Sequence, residues 1–504
     1  MTSLPTSSLA LVLSASAVAA VLTTAAAPGA RAGDAGIRDP APAPRWTGCA
    51  QPGGPENQLC ADLSVPVDHE KPDGPRMKVV VSRVESDRPE ARRGTLLVLA
   101  GGPGSSGVDR LAQKGKALLK EMNGAYDLVT LDPRGVKRST TASCRLPEAD
   151  RFTVNFRPWP GPDGKITENA DRARRVAREC AEHGGPELRS LTSANQVRDI
   201  ELLRRALGVE KLSAWGNSYG AYVGALYAQK HPERTDRWVL DSSGDPNPDR
   251  VARNWLANMA RATEYRFPDF AAWAADPARD ARGLRLARRA EEVRPLVLAL
   301  AAELDRKPRR TTTEGVPLTG NGLRQALQLA LYHDDSFESF GRLVRSVRDP
   351  EGVPVLPGAL AGPMADEEAA VSMAVVCNDV RWPASVGAYE RAVAENRARY
   401  PLTAGMPANL MPCSFWKEPA EKPDRITDEG PSNILMIQSL RDPATPHFGA
   451  LKMREALGRR ARMVSVDQGG HGVYLGLRNA CGDRTVTEFL TTGKRPARDA
   501  HCPR

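Results

Sequence analysis

The sequence is short of histidine, of paired metal-binding cysteines and of long apolar runs, and each shortage removes a class of function. Seven histidines serve 504 residues, so few imidazoles can act as general base or ligand. None of the eight cysteines stands in a Cys-x-x-Cys pair, which speaks against zinc. No Gly-Lys-Ser/Thr completes a P-loop for nucleotides. Basic residues number 70 against 61 acidic ones, a formal net charge of +9. They are dispersed over stretches such as 171–175 and 285–294 without interleaved aromatics. That pattern reads as solvated helix faces, and no nucleic-acid partner is expected. No internal repeat occurs. Beyond residues 9–22 there is no long apolar stretch, so no stable membrane insertion is expected.

The run at 9–22 is uncharged, and Ala30-Arg31-Ala32 before Gly33 fits a signal-peptidase site. This predicts a signal peptide over 1–32 and a secreted protein. No Lys or Arg precedes the run, although signal peptides normally carry one. An uncleaved anchor is the alternative, but an alanine-rich run that barely spans a bilayer favours cleavage. The cysteines (Cys49, Cys60, Cys144, Cys180, Cys377, Cys413, Cys481 and Cys502) all follow the cleavage point. An even number in an exported chain predicts disulfides. Pairing of neighbours is the simplest connectivity, though sequence alone does not fix it. Each such loop would contribute about 3–4 kcal/mol by chain entropy.

What is present is a nucleophile elbow. Residues 211–215 read as a buried strand and 221–228 as a packed helix, with Gly216-Asn217-Ser218-Tyr219-Gly220 between them. A serine between two glycines on a strand-to-helix turn projects its hydroxyl from a strained backbone. The pattern alone is weak, and a nucleophile needs a base. His69, His183, His231, His333 and His501 read as surface or capping residues. His471 lies in Gly469-Gly470-His471-Gly472, just beyond a strand-like run at 461–466. The preceding strand, 434–438, leads to Asp442, which can fix the imidazole tautomer. His447 is the rival base but stands too near Asp442 in sequence. Thr445 is either a donor to that carboxylate or a turn residue. The order Ser218, Asp442, His471 is that of an α/β-hydrolase. A second glycine loop, Gly101-Gly102-Pro103-Gly104, follows a buried strand at 95–100. The expected oxyanion hole pairs the amides of Gly102 and Tyr219. No cofactor and no metal are implied, and nothing decides the oligomeric state.

The chain resembles the secreted tripeptidyl aminopeptidases of actinobacterial type, in the proline-iminopeptidase-like branch of the α/β-hydrolases. The resemblance rests on Leu99-Ala100-Gly101-Gly102-Pro103-Gly104, Leu131-Asp132-Pro133-Arg134-Gly135, the elbow, Arg441-Asp442-Pro443-Ala444-Thr445-Pro446 and Gly469-Gly470-His471-Gly472. It implies that Ser218, Asp442 and His471 form a catalytic triad. Two positions depart from the pattern. Ala100 stands where proline iminopeptidases have histidine, and Lys137 stands where the family commonly has glycine.

The expected fold class is α/β, an α/β-hydrolase with a mostly parallel central sheet and a large helical cap inserted between the sixth and seventh core strands. Its parts are an N-terminal segment with the first strands over 33–93, a first core half over 94–244, the cap over 245–430, and a second core half with a C-terminal disulfide region over 431–504. Strands are expected at 77–84, 126–131 and 237–241. Cap helices are expected at 251–265, 284–304, 322–331, 337–347, 367–376 and 386–396. A capped site suits short peptide substrates, and an exopeptidase needs a carboxylate for the free amine. Candidates are Glu367, Glu368 and Asp379, with Asp334 and Asp335 behind them; each taken singly reads as a solvated or helix-capping acid. The reading is a serine exopeptidase releasing tripeptides from free N-termini. A carboxylesterase or lipase is the main rival, and a non-catalytic binding protein on the same scaffold is a lesser one.

Overall fold

Uninterrupted apolar runs make the centre of the sheet, because a parallel strand covered on both faces needs no polar alternation. The computed structural model describes residues 43–504, so the expected signal peptide lies outside the described residues. The strands are β1 (Thr47–Gly48), β2 (Leu59–Pro66), β3 (Arg76–Val84), β4 (Gly94–Leu99), β5 (Tyr126–Leu131), β6 (Leu212–Asn217), β7 (Thr235–Asp241), β8 (Ile434–Arg441), β9 (Ala461–Gly469) and β10 (Ala500–Cys502). They form one sheet in the order β1-β2-β3-β5-β4-β6-β7-β8-β9-β10. The first three strands and the β3–β5 pair are antiparallel, and all later pairs are parallel. This is the mostly parallel sheet of an α/β-hydrolase. Strand β2, which sequence reading passed over, is an edge-side strand flanked by prolines.

The longer helices are α1 (Gly107–Glu121), α2 (Thr167–His183), α3 (Ser193–Ala206), α4 (Tyr219–Lys230), α5 (Val251–Ala275), α6 (Val293–Arg306), α7 (Gly320–Ala330), α8 (Phe337–Arg348), α9 (Asp366–Asp379), α10 (Val386–Arg399), α11 (His447–Leu457) and α12 (Ala480–Thr492). Residues 219–228 of α4 are all buried, as a helix apolar on every side must be. One core joins the sheet to α1 and α12 through Leu96, Val98, Leu111, Leu118, Val486 and Phe489.

Helices α5 to α10 lie in the chain between β7 and β8, and α5 to α8 hold a core of their own, built on Phe267, Phe270, Val297, Leu304, Leu323 and Phe340. Helix α2, from between β5 and β6, packs on α10 through Ala170, Ala173, Tyr389 and Val393. Two boundaries differ from expectation. Helix α5 continues ten residues past 265 and contains Pro268; burial of Phe267, Phe270 and Ala274 offsets the hydrogen bond the proline forgoes. The helix expected from 284 starts as α6 at Val293, with Pro295 in its first turn, where its missing N–H costs least.

The four disulfides join Cys49–Cys60, Cys144–Cys180, Cys377–Cys413 and Cys481–Cys502, the neighbour pairing. Among the described residues no helix is long and apolar enough to cross a membrane. Parallel register aligns the strand ends that matter: Asn217 pairs with Asp241, and Arg441 with Gly469. Ser218, Asp442 and His471 therefore all leave the C-terminal edge of the sheet, where open α/β folds bind ligands.

Candidate active site

The elbow is sterically dictated. Ser218 has φ +59° and ψ −123°, a conformation side-chain-bearing residues rarely adopt. A Cβ on Gly216 would lie 2.3 Å from the Gly220 oxygen, and one on Gly220 would lie 2.5 and 2.6 Å from the carbonyl oxygens of Leu99 and Ala100. Both glycines are thus required for α4 to start this close to β4 and β6. Ser218 itself is half-buried, and its N–H donates to the Asp241 carbonyl at 2.9 Å.

The Asp442 carboxylate is buried and accepts from the amides of Ala444 and Thr445 at 2.8 and 2.9 Å. Its two oxygens lie 3.0 and 2.9 Å from His471 Nδ1. With Nδ1–H donating to Asp442, Nε2 is left as the acceptor. Thr445 Oγ1 donates to the Ser242 carbonyl at 2.8 Å and stands 3.2 Å from the Asp442 carboxylate. Burial drives the His471 imidazole down, but the Asp442 charge and hydrogen bond outweigh it and leave the ring above the ordinary histidine value; Asp241 adds to the rise and Arg110 opposes it. The histidine loop lies beside the elbow: a Cβ on Gly472 would be 3.1 Å from Asn217 Nδ2.

The second glycine loop faces the serine. A Cβ on Gly101 would lie 3.1 Å from Ser218 Cβ and 3.6 Å from its Oγ. Gly102 has φ +112° and precedes a cis proline, Pro103. Tyr219 is the first residue of α4, so its N–H belongs to the turn that no helix carbonyl can satisfy. The helical insertion reaches this site at two points. Ser372 and Val371 of α9 lie 3.1 and 3.2 Å from where a Gly104 Cβ would be. The Tyr332 carbonyl, just after α7, accepts from His471 N–H at 2.9 Å, and its ring meets the imidazole edge-on at 5.3 Å.

The candidate amine-binding acids are placed differently from one another. Glu367 and Glu368 are exposed in the first turn of α9, and Glu368 is one turn before Ser372. Asp379, at the other end, takes the amide of Ser193 at 2.8 Å and also its hydroxyl, which stands 2.9 Å from the Tyr219 hydroxyl. Burial pushes this carboxyl up to about 6. Asp334 pairs with Arg266 and Asp335 with Arg478. His447 bonds Ser465 Oγ at 2.9 Å, away from Asp442.

Sequence reading missed three features. His69, taken for a surface residue, is buried at 2.9 Å from Asp199 and 3.1 Å from Arg134. The charge of Arg134, fully buried in the Asp132-Pro133-Arg134-Gly135 turn, demands that network. Tyr332 gave no signal at all. Asp241 and Ser242 did give one: a carboxylate at the C-terminal end of a core strand, the same cue that points to Asp442.

A family model described as TAP-like protein matches residues 399–502. A tripeptidyl aminopeptidase of Streptomyces lividans is 32% identical over 492 residues, 95% of this chain and 88% of the relative. The chain belongs to the tripeptidyl aminopeptidase family. Two other similar proteins, both from Mycobacterium tuberculosis, are the serine protease Hip1, 26% identical over 91% of this chain and 90% of its own, and carboxylesterase B, 28% identical over 92% and 90%. As a member of the tripeptidyl aminopeptidase family, the protein is a serine hydrolase of the peptidase kind.

Proposed function

We propose that the protein is an exported exopeptidase that releases tripeptides from free N-termini through an acyl-enzyme. Ser218 Oγ attacks the scissile carbonyl while His471 Nε2 takes its proton and Asp442 holds the imidazolium. The amides of Gly102 and Tyr219 receive the oxyanion. His471 then protonates the leaving amine, and water repeats the sequence to free the peptide acid. The observation that carries this reading is the buried Asp442–His471 Nδ1 bond at 2.9 Å, on a loop packed against the elbow of Ser218.

The exopeptidase part draws support from the helical insertion, read as a cap. Its Tyr332 lies against His471 and its Ser372 against the Gly101–Gly104 loop, which leaves less room around the site. Glu368, with Glu367 beside it, is the acid best placed to meet a free amine, since both oxygens of Asp379 already serve Ser193. Export is supported by four disulfides, which persist in oxidising compartments.

A chromogenic panel tests the proposal with a free-amine tripeptide, its N-acetylated form, a single proline and an acyl ester. The free tripeptide should be cleaved at least tenfold faster than the acetylated one. Ester turnover with no preference for a free amine would favour the second reading, a carboxylesterase, which the 28% identical relative of that name supports.

A further inference from the structure

Three loops carry the proposed triad, and all three bond to the same two consecutive residues. Asp241 ends β7 and Ser242 follows it; both are fully buried. The Asp241 carbonyl accepts from Ser218 N–H at 2.9 Å, which fixes the elbow. The Ser242 carbonyl accepts from Thr445 Oγ1 at 2.8 Å, which fixes the turn around Asp442. The Ser242 hydroxyl accepts from Gly472 N–H at 2.9 Å, and the Asp241 carboxylate accepts from the amides of Val473 and Tyr474, each at 2.9 Å. These three amides are the residues immediately after His471. The remaining contacts of the carboxylate are Ser242 Oγ at 3.0 Å and Trp215 Nε1 at 3.2 Å.

Ser242 holds this position at φ +57°, in the left-handed region that favours glycine. A strained, buried serine persists where surrounding bonds over-determine it. Here the hydroxyl bonds the histidine loop and the carbonyl bonds the turn around Asp442, so both are used in this conformation.

We propose that Asp241 and Ser242 are positioning residues that set the mutual register of Ser218, Asp442 and His471. The inference rests on the triad reading above and deepens it. Neither residue touches a reacting atom. Their effect on the reaction passes through the loops, and in the case of Asp241 also through its charge. The charged and titratable groups facing His471 are Asp442, Asp241, Arg110, His333 and Tyr332, and those facing Asp241 include Arg110, Lys114 and Asp483.

The test compares Asp241→Asn and Ser242→Ala with the parent protein. Three measurements are made: the fraction of Ser218 labelled by a fluorophosphonate at saturation, the steady-state kinetics (kcat and KM) on a tripeptide substrate, and the pH profile of kcat/KM. Positioning predicts full labelling in both variants, kcat at least tenfold lower and KM within twofold. The acid limb of the profile should move to lower pH in Asp241→Asn, which loses a negative charge near His471, and stay in place in Ser242→Ala, which loses only a hydroxyl. Fully labelled variants with kcat within twofold of the parent would overturn the inference. So would failure of both variants to accumulate as folded protein, which would assign the pair to the fold alone. A parent that resists labelling would instead refute Ser218 as nucleophile, and the inference would fall with it.

Discussion

His471 sits under two opposing influences, and their balance sets a measurable pH dependence. Burial disfavours the imidazolium, while the Asp442 carboxylate favours it more strongly, so the folded protein holds the proton to higher pH than free histidine does. The proposed role of His471 as general base requires it neutral, so activity is expected to rise as pH climbs through the His471 transition. The acid limb of kcat/KM is expected above the ordinary value of about 6.5. Replacing Asp442 by Asn should lower kcat by roughly 10³–10⁴-fold, because the correct tautomer is lost. An acid limb at or below that value would mean that burial outweighs Asp442. Lys137 offers a second residue-scale test. It has φ +49° and is exposed. Lys137→Gly removes left-handed strain and gives back some unfolded-chain entropy, so denaturant melts should show a gain of about 0.5–1 kcal/mol. Unchanged kcat would accompany it.

At the scale of elements, close approach explains both what was legible in the sequence and what was not. The elbow, the acid turn and the histidine loop each follow a strand with an apolar run, and glycines mark the points where backbone meets backbone. Those signals are local, which is why the places of Ser218, Asp442, His471 and the Gly101–Gly104 loop at strand ends could be read directly. Tyr332, by contrast, meets His471 across 139 positions of chain through a carbonyl that any residue could supply. Periodicity likewise missed the far end of α5, since tertiary burial of Phe270 and Ala274 overrides the proline before them. Two glycine substitutions separate close approach from mere turn formation. Gly220→Ala drives a Cβ into the carbonyl oxygens of Leu99 and Ala100 at the end of β4, whereas a Cβ on Gly358 would meet nothing within 4 Å. Gly220→Ala should lower stability by about 3 kcal/mol or more, in the range of overpacked cores. Gly358→Ala should leave it within about 0.5 kcal/mol. Equal melting temperatures for the two variants would contradict the steric account of the elbow.

Across the whole molecule, two apolar cores have to hold one site. The insertion meets the sheet unit near the elbow, where Trp255 of α5 packs edge-on against Tyr219 and Tyr222 of α4 at 6.4 and 5.2 Å. Ionic bonds join insertion and sheet at the C-terminal strand edge as well. Asp269 of α5 accepts from Arg441 Nε at 2.9 Å and from the buried Arg266, and Arg441 also reaches Asp467 at 2.7 Å. Arg266 Nε donates to the Leu331 carbonyl at 2.9 Å, one residue before Tyr332. This chain of bonds runs from the residue preceding Asp442 to the one preceding the partner of His471. Asp269→Asn keeps the shape but removes the charge that two guanidinium groups share, and an incompletely paired buried Arg266 costs about 1–3 kcal/mol. If the junction is what aligns the insertion with the triad, amide exchange should accelerate at 331–334 and 469–473 while β4 to β7 keep their protection. In the same variant kcat should fall several-fold, since His471 loses a fixed neighbour and not a substrate contact. Exchange that rises evenly over the sheet and the insertion would instead show that the two cores open as one unit, and that Asp269 contributes to global stability without aligning the site.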